Sequence, residues 1–418
     1  MSGSSSALLD NITTCGRVVG EVGCCLANGI ESLNDDPYQE AKTLKTHRDY
    51  LNSLTIVALG DRGMMRVIIM VSVLVSSAVT FAQTSRPLVG AIRWDAWTGG
   101  GVTEQVERTL GPEKYHSRLP WFAEVIDDKT VKIDGNRQVV MDREIEFAAY
   151  AGLDYWAFLI YPEGNSMSVA LKQYLQSQNR KQLRFCLIMH STLQAEDEQW
   201  PKERDRAIRL LKEPGYQTVL HGRPLVFAFV GGEFPFARFS EFLTAAREAG
   251  ANPYCVYMGW NPASDFRKVA KMGFDAVSAY AKDGNQPRFA DLARAVEQSY
   301  WHNATKSQIP YIPLVTTGWD KRPRKDNPVS WEEGHGYHQQ DVFPSRATPA
   351  EISAHLKNAI SLVQKHPRIC EANAVIVYAW NEYDEGGWLS PSRGADGTPD
   401  ISRLDAVRQI LKDSEVQE

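Results

Sequence analysis

The chain is poor in features that would settle a chemistry by themselves. Its 418 residues carry six cysteines, with no Cys-x-x-Cys spacing and no His-Cys cluster, so neither a metal site nor a disulfide framework is expected. Cys15, Cys24 and Cys25 show no recognisable spacing, and Cys186, Cys255 and Cys370 read as buried free thiols. The net charge of −5 is spread over mixed signs with no basic stripe, which argues against nucleic acid or an anionic membrane surface as a partner. No Gly-x-Gly-x-x-Gly turn follows the first apolar run, which argues against a dinucleotide fold. No Ser-His-Asp arrangement for nucleophilic catalysis is present either. Residues 88–418 hold no internal repeat and no low-complexity linker, so this stretch reads as one domain.

Apolar and aromatic residues are plentiful: 43% of the chain is apolar, with eleven tryptophans and sixteen tyrosines. Most of these rings are expected in the core, and those at strand ends are suited to stacking on pyranose faces. Towards the N-terminus, Met64-Met65-Arg66 leads into an apolar run from Val67 to Ala82, followed by Gln83. A basic start, a short apolar stretch and small residues before a glutamine predict a secretory signal peptide, and the run is short for a membrane span. Residues 64–82 are therefore expected as a signal peptide, with a secreted or periplasmic product, or as an uncleaved anchor that would tie the chain to a membrane. Residues 1–63 show no sustained periodicity and receive no fold. They read either as misassigned upstream sequence or as a genuine extension.

From residue 88 onward, apolar runs alternate with helical patterns. The runs are 88–94, 153–161, 183–190, 224–230, 254–260, 274–280, 310–316 and 374–380. Helices are expected over 142–151, 236–249, 290–301, 350–365 and 401–412, with Gly152 and Gly250 as stops. Runs apolar throughout suit a parallel sheet buried on both faces. Their number favours a single (β/α)8 barrel with extended βα loops over residues 83–418. A mixed α/β sheet with one strand misread is the alternative.

In such a barrel the site lies where the strands end. The residues arriving there are Arg93, Trp94 and Asp95; Tyr161 and Glu163; His190; Glu233; Trp260 and Asn261; Tyr280; Trp319, Asp320 and Arg322; then Asn381, Glu382, Glu385 and Trp388. Glycosidic cleavage needs one carboxyl to protonate the leaving oxygen and a second group for the anomeric centre. Glu382 and Glu385, three residues apart after a buried strand, are the natural pair. Arg93, Asp95, Asp320 and Arg322 suit either bidentate contacts to vicinal hydroxyls or an ion-pair network across strand ends. Trp94, Trp260 and Trp319 are stacking candidates, while His190 and Tyr280 could orient a substrate. The segment Trp331–His338 is expected on the seventh loop as a lid. Its histidines lack a recognised ligand spacing, so no metal and no cofactor are expected.

Asn381-Glu382-Tyr383-Asp384-Glu385-Gly386 resembles the Asn-Glu-Trp-x-Glu-Gly signature of glycoside hydrolase family 99 and its endo-α-mannosidase-like relatives. Tyr115–Phe122, Met141–Ile145, Gly152–Phe158 and Gly318–Arg324 agree with the same group in its order. The resemblance implies a (β/α)8 barrel and a retaining hydrolase acting on an α-linked glycan. In that scheme Glu382 draws the proton from the sugar 2-hydroxyl to form a 1,2-anhydro sugar. Glu385 protonates the departing oxygen and then activates water. Tyr383 in place of tryptophan, the extra Asp384 and the run Gly387-Trp388-Leu389-Ser390 depart from the signature and bear on substrate identity. A related branch is labelled glycosyltransferase, but no nucleotide-binding signature accompanies that label here. The partner expected is an oligosaccharide or polysaccharide. A non-catalytic glycan-binding barrel and a membrane-anchored polysaccharide-assembly protein are the other readings.

Overall fold

The computed structural model describes residues 86–416. Residues 64–82, expected as a signal peptide, and residues 1–63 lie outside the described residues.

Eight parallel strands form the barrel: β1 Leu88–Arg93, β2 Tyr155–Ile160, β3 Arg184–Met189, β4 Arg223–Ala228, β5 Tyr254–Met258, β6 Ala276–Ser278, β7 Leu314–Thr316 and β8 Ala374–Tyr378. Their order is β7-β8-β1-β2-β3-β4-β5-β6, and a parallel bridge between Val277 and Tyr311 closes the ring ahead of β7. β2 and β8 are buried at every position, as expected for strands with helices outside and a filled interior. Gly90 on β1 makes room for that filling. A Cβ there would sit 2.2 Å from the Tyr155 ring, which crosses the interior to donate its hydroxyl to the Val375 carbonyl at 3.1 Å. Cys186, Cys255 and Cys370 are free and buried.

The expected helices form with modest shifts of boundary. Gln138–Ala151 stops at Gly152, whose left-handed φ of 82° returns its N–H to the preceding turn. Pro349–Lys365 opens with a reciprocal capping box between Thr348 and Glu351. The expected 290–301 helix runs as Phe289–Val296 and then widens into a π-turn over Glu297–His302. The seventh strand is shorter than its apolar run: Pro310 and Pro313 have no N–H to give to a ladder, so regular pairing is confined to Leu314–Thr316. The sequence leaves the loop after β1 without structure, but it contains a helix, Gly100–Leu110, and a hairpin, Ala123–Asp127 with Thr130–Ile133. Helices Val169–Gln176 and Trp200–Leu210 are further elements not anticipated.

Candidate active site

The loops at the C-terminal ends of the strands enclose a cavity of about 800 Å3. After Tyr378 the chain turns through a short antiparallel pair, Asn381–Glu382 with Gly387–Trp388, and this turn sets both Glu382 and Glu385 in the cavity wall. It can do so because two glycines meet. Gly318 (φ 148°) and Gly386 (φ 83°) bring their loops together backbone to backbone, and a Cβ on Gly318 would lie 2.0 Å from the Gly386 carbonyl oxygen. That contact brings the segment after β7, carrying Lys321 and Arg324, onto the glutamate turn.

The two carboxylates have unlike surroundings. Glu382 is 2% exposed. Its Oε1 accepts from the Tyr280 hydroxyl at 2.7 Å, its Oε2 has no hydrogen-bond partner, and the nearest cation, Arg324 Nη2, is 4.0 Å away. Burial first, then the negative charge of Glu385, push its carboxyl well above the usual carboxylate range against the opposing pull of Arg324. Glu385 instead faces two cations. Its Oε1 accepts from Arg324 Nη1 and lies 3.0 Å from Lys321 Nζ, and its Oε2 accepts from the Tyr378 hydroxyl.

Arg324 is the hub of this array. It is 1% exposed, donates from Nε to Asp384 Oδ2 at 2.6 Å and from Nη2 to Asp384 Oδ1 at 3.2 Å, and reaches Glu332 Oε1 at 2.9 Å. Burial would raise the Glu332 carboxyl, but Arg324 and Lys321 outweigh it and hold the group well below the usual range. Asp384 goes the other way: burial raises it despite Arg324.

Aromatic rings form the remaining wall. Phe229 stacks on Tyr280 with centroids 4.3 Å apart, Trp94 donates from Nε1 to the Tyr161 hydroxyl at 3.0 Å, and Trp319 tilts over Tyr378. Trp260 is 45% exposed at the mouth. His190 also lines the cavity, and burial pushes its ring down to about 4, so it is neutral. The 331–338 segment expected as a lid supplies a wall: Trp331 meets Trp94 edge-on, and the Tyr337 hydroxyl donates to Glu332 Oε2 at 2.7 Å.

Thus Trp94, Tyr161, His190, Trp260, Tyr280, Trp319, Glu382 and Glu385 meet at one cavity. The other strand-end residues do not line it. Arg93 is turned away from it and pairs with Asp95 at 2.8 Å and Glu144 at 2.7 Å, because successive strand residues face opposite sides. Burial raises the Asp95 carboxyl to about 6 against the pull of Arg93. Asp320 pairs with Arg118 at 2.6 Å and Arg322 at 2.7 Å. The ion-pair alternative therefore describes Arg93, Asp95, Asp320 and Arg322. Asn381 accepts the Trp94 backbone N–H at 3.0 Å and so supports the wall from behind. Trp388, 1% exposed, lies under the Arg403 guanidinium. Glu233, Glu163 and Asn261 are outside the lining, with Glu233 and Asn261 on exposed loops.

Sequence reasoning missed Lys321, Arg324, Glu332 and Phe229 as site residues. Lys321 and Arg324 lie in the same 318–324 segment as the nominated Asp320 and Arg322. The local helix Arg322–Asp326 decides which of its charges face inward, and no residue pattern announces that choice.

The family described as "Glycosyltransferase WbsX" matches residues 186–397. No curated protein matches the chain. Among solved structures, the endo-α-mannosidase of glycoside hydrolase family 99 from Bacteroides thetaiotaomicron is 12% identical, with 79% of this chain and 99% of that one covered and a TM-score of 0.48. A β-glycosidase is 14% identical over 80% of this chain and 97% of its own, with a TM-score of 0.41. The endo-β-1,4-mannanase from Thermotoga petrophila is 10% identical over 80% and 78%, with a TM-score of 0.39. The family match falls in the glycosyltransferase-labelled branch related to the motif resemblance.

Proposed function

The chain belongs to the WbsX glycosyltransferase family, and from that premise we propose that it is a glycoside hydrolase of the family 99-like type, cleaving an α-linked glycan at Glu382 and Glu385. The observation that carries this reading is the presence of both carboxylates in one wall of an aromatic-lined cavity. Rings suited to pyranose faces hold a sugar while two carboxyl groups in unlike surroundings divide the proton work.

The pair handles one proton between them. Burial and the charge of Glu385 favour the protonated form of Glu382, while Lys321 and Arg324 face Glu385. In the division carried by the resemblance, Glu382 takes the proton of the sugar 2-hydroxyl through its unpartnered Oε2 while the 2-oxygen attacks C1. Glu385 gives a proton to the departing oxygen and later draws one from water. For that order the entering glycan must find the proton on Glu385, so working turnover requires Glu382 to pass it on. Lys321, beside Glu385 and opposite the Trp319 ring at 4.4 Å, is placed to balance the charge during that exchange.

The test is incubation of the full chain with a panel of α-linked oligosaccharides, with products read by mass and the first anomer by NMR. Retention is expected, with Glu385→Gln lowering kcat by roughly 10²–10⁴-fold while glycan affinity persists. Equal affinity with no turnover in either protein would replace the hydrolase by a glycan-binding barrel. Turnover only with a nucleotide-sugar donor would make it a transferase, the activity in the family's description. The 64–82 run supports export of the product, and a mature protein beginning at Gln83 is the expected N-terminal sequencing result.

A further inference from the structure

A second cavity, of about 610 Å3, opens among the loops after β1, β7 and β8, lined by His116, Ser117, Arg346, Arg393 and Asp400 among others. It shares no lining residue with the first cavity, but its loops belong to the same end of the barrel. Its walls are rich in positive charge. Behind it, three guanidinium groups gather on the ring of Trp388: Arg403 at 4.0 Å, Arg346 at 5.0 Å and Arg118 at 5.9 Å from the centroid.

These cations are poorly compensated. Among the described residues, Arg346, Arg393 and Arg403 form no ion pair. Arg403 is buried and donates only to carbonyls, those of Trp388 and Ala347 at 2.5 and 3.2 Å, and Arg346 donates to the Ser117 carbonyl at 2.9 Å. Arg118 shares Asp320 with Arg322. Asp400 is the acid in the lining; it accepts the Ser402 N–H, and its charge acts on both Arg346 and Arg403 without an ion-pair contact to either. Burial first, then the neighbouring Arg346 charge, push the Arg403 guanidinium down to about 9 against the pull of Asp400, so it remains a cation at neutral pH. Cations that outnumber the nearby carboxylates attract an oxyanion, for which guanidinium forks provide paired donors.

The first cavity has the opposite sign. Glu332, Asp384, Glu382 and Glu385 line or back it against Lys321 and Arg324. An anionic sugar is disfavoured there, and a neutral sugar is suited to it. Trp388 pairs in the short ladder with Asn381, the residue before Glu382, and its ring is covered by the arginines.

We propose that the cavity at Arg346 and Arg393 is a remote subsite for an oxyanion-bearing unit of the glycan, so that the substrate is an acidic polysaccharide cleaved next to a neutral residue. This deepens the glycan reading above and rests on it. A uronate, a sulfate ester or a phosphate ester each carries such an oxyanion.

The experiment measures equilibrium binding by calorimetry with the full chain carrying Glu385→Gln, so that no turnover is needed. The probes are an α-linked oligogalacturonate, its carboxyl-reduced neutral counterpart, inorganic sulfate and inorganic phosphate. The expected result is preference for one or more of the anions, salt-sensitive, and weakened about tenfold or more by the double substitution Arg346→Ala/Arg393→Ala. Whichever of carboxylate, sulfate or phosphate binds most tightly names the group. Both replaced side chains lie outside the catalytic cavity, so turnover of a neutral oligosaccharide by the Glu385-containing double variant stays unchanged. No anion binding at all, or anion binding that survives the double substitution, overturns the subsite. Loss of the hydrolase reading would show separately, as absence of turnover with anion binding intact.

Discussion

Glu332 and Glu385, far apart in sequence, lean on the same two cations. Lys321 Nζ lies 2.7 Å from Glu332 Oε1 and 3.0 Å from Glu385 Oε1, and Arg324 Nη1 donates to both carboxylates. Glu332 therefore draws off positive charge that would otherwise fall on Glu385 and, through Arg324, on Asp384.

Glu332→Gln leaves Lys321 to Glu385 and Arg324 to Glu385 and Asp384. More of the positive charge then acts on Glu385, the proposed proton donor. The expected outcome is a lower kcat, with Glu332→Asp restoring part of it. An unchanged kcat in a folded Gln variant would mean that Glu332 only anchors its loop.

Glu382 makes stability depend on pH in a direction that can be worked out. Its folded pKa lies above the ordinary 4.5, so folding favours the protonated form. That contribution is complete below the unfolded value and is lost as pH rises through the raised folded one. Glu382→Gln, a neutral isostere, should match the wild type in acid and exceed it increasingly as pH rises. Melting temperature across pH is the measurement, and a gap that narrows towards alkaline pH would contradict the buried neutral carboxyl.

Arg324 serves Asp384, Glu332 and Glu385 at once. Its removal strands buried carboxylates, and Arg324→Ala should cost about 3–5 kcal/mol of stability. Arg324→Lys should recover little, because an ammonium cannot reproduce the fork that holds Asp384. Denaturant titration compares the two, and a lysine variant as stable as the wild type would deny the bidentate role.

In sequence, Trp260 reads as a stacking ring and Arg93 as either a hydroxyl contact or an ion-pair member, and the structure separates them. Trp260→Ala, at the cavity mouth, should raise KM about two- to tenfold with stability nearly unchanged. Arg93→Ala unpairs buried Asp95 and Glu144 and should lower stability by about 3–5 kcal/mol, leaving KM alone. Parallel kinetics and melting curves on both variants decide the matter; a KM effect at Arg93 without destabilisation would return it to the substrate.

The barrel was legible because its strands are apolar on both faces and of characteristic length, a pattern that few other sheets require. The shortened seventh strand was less so, since Pro310 and Pro313 interrupt pairing within a run that is otherwise apolar. At the site, Trp94 and Arg93 are neighbours in sequence and part company in space. One lines the cavity and the other pairs with Glu144 on the Gln138–Ala151 helix, a partner set by tertiary packing.

By itself the sequence determined the strand count, the position of the glutamates after the last strand and the supply of rings at the strand ends, because burial and strand alternation are written in local residue patterns. Only the tertiary structure decided which charges meet. The approach of Gly318 to Gly386 brings Lys321 and Arg324 onto Glu385, and the folding back of the 331–338 segment adds Glu332. Electrostatic pairing depends on distance in space, and no spacing along the chain encodes it.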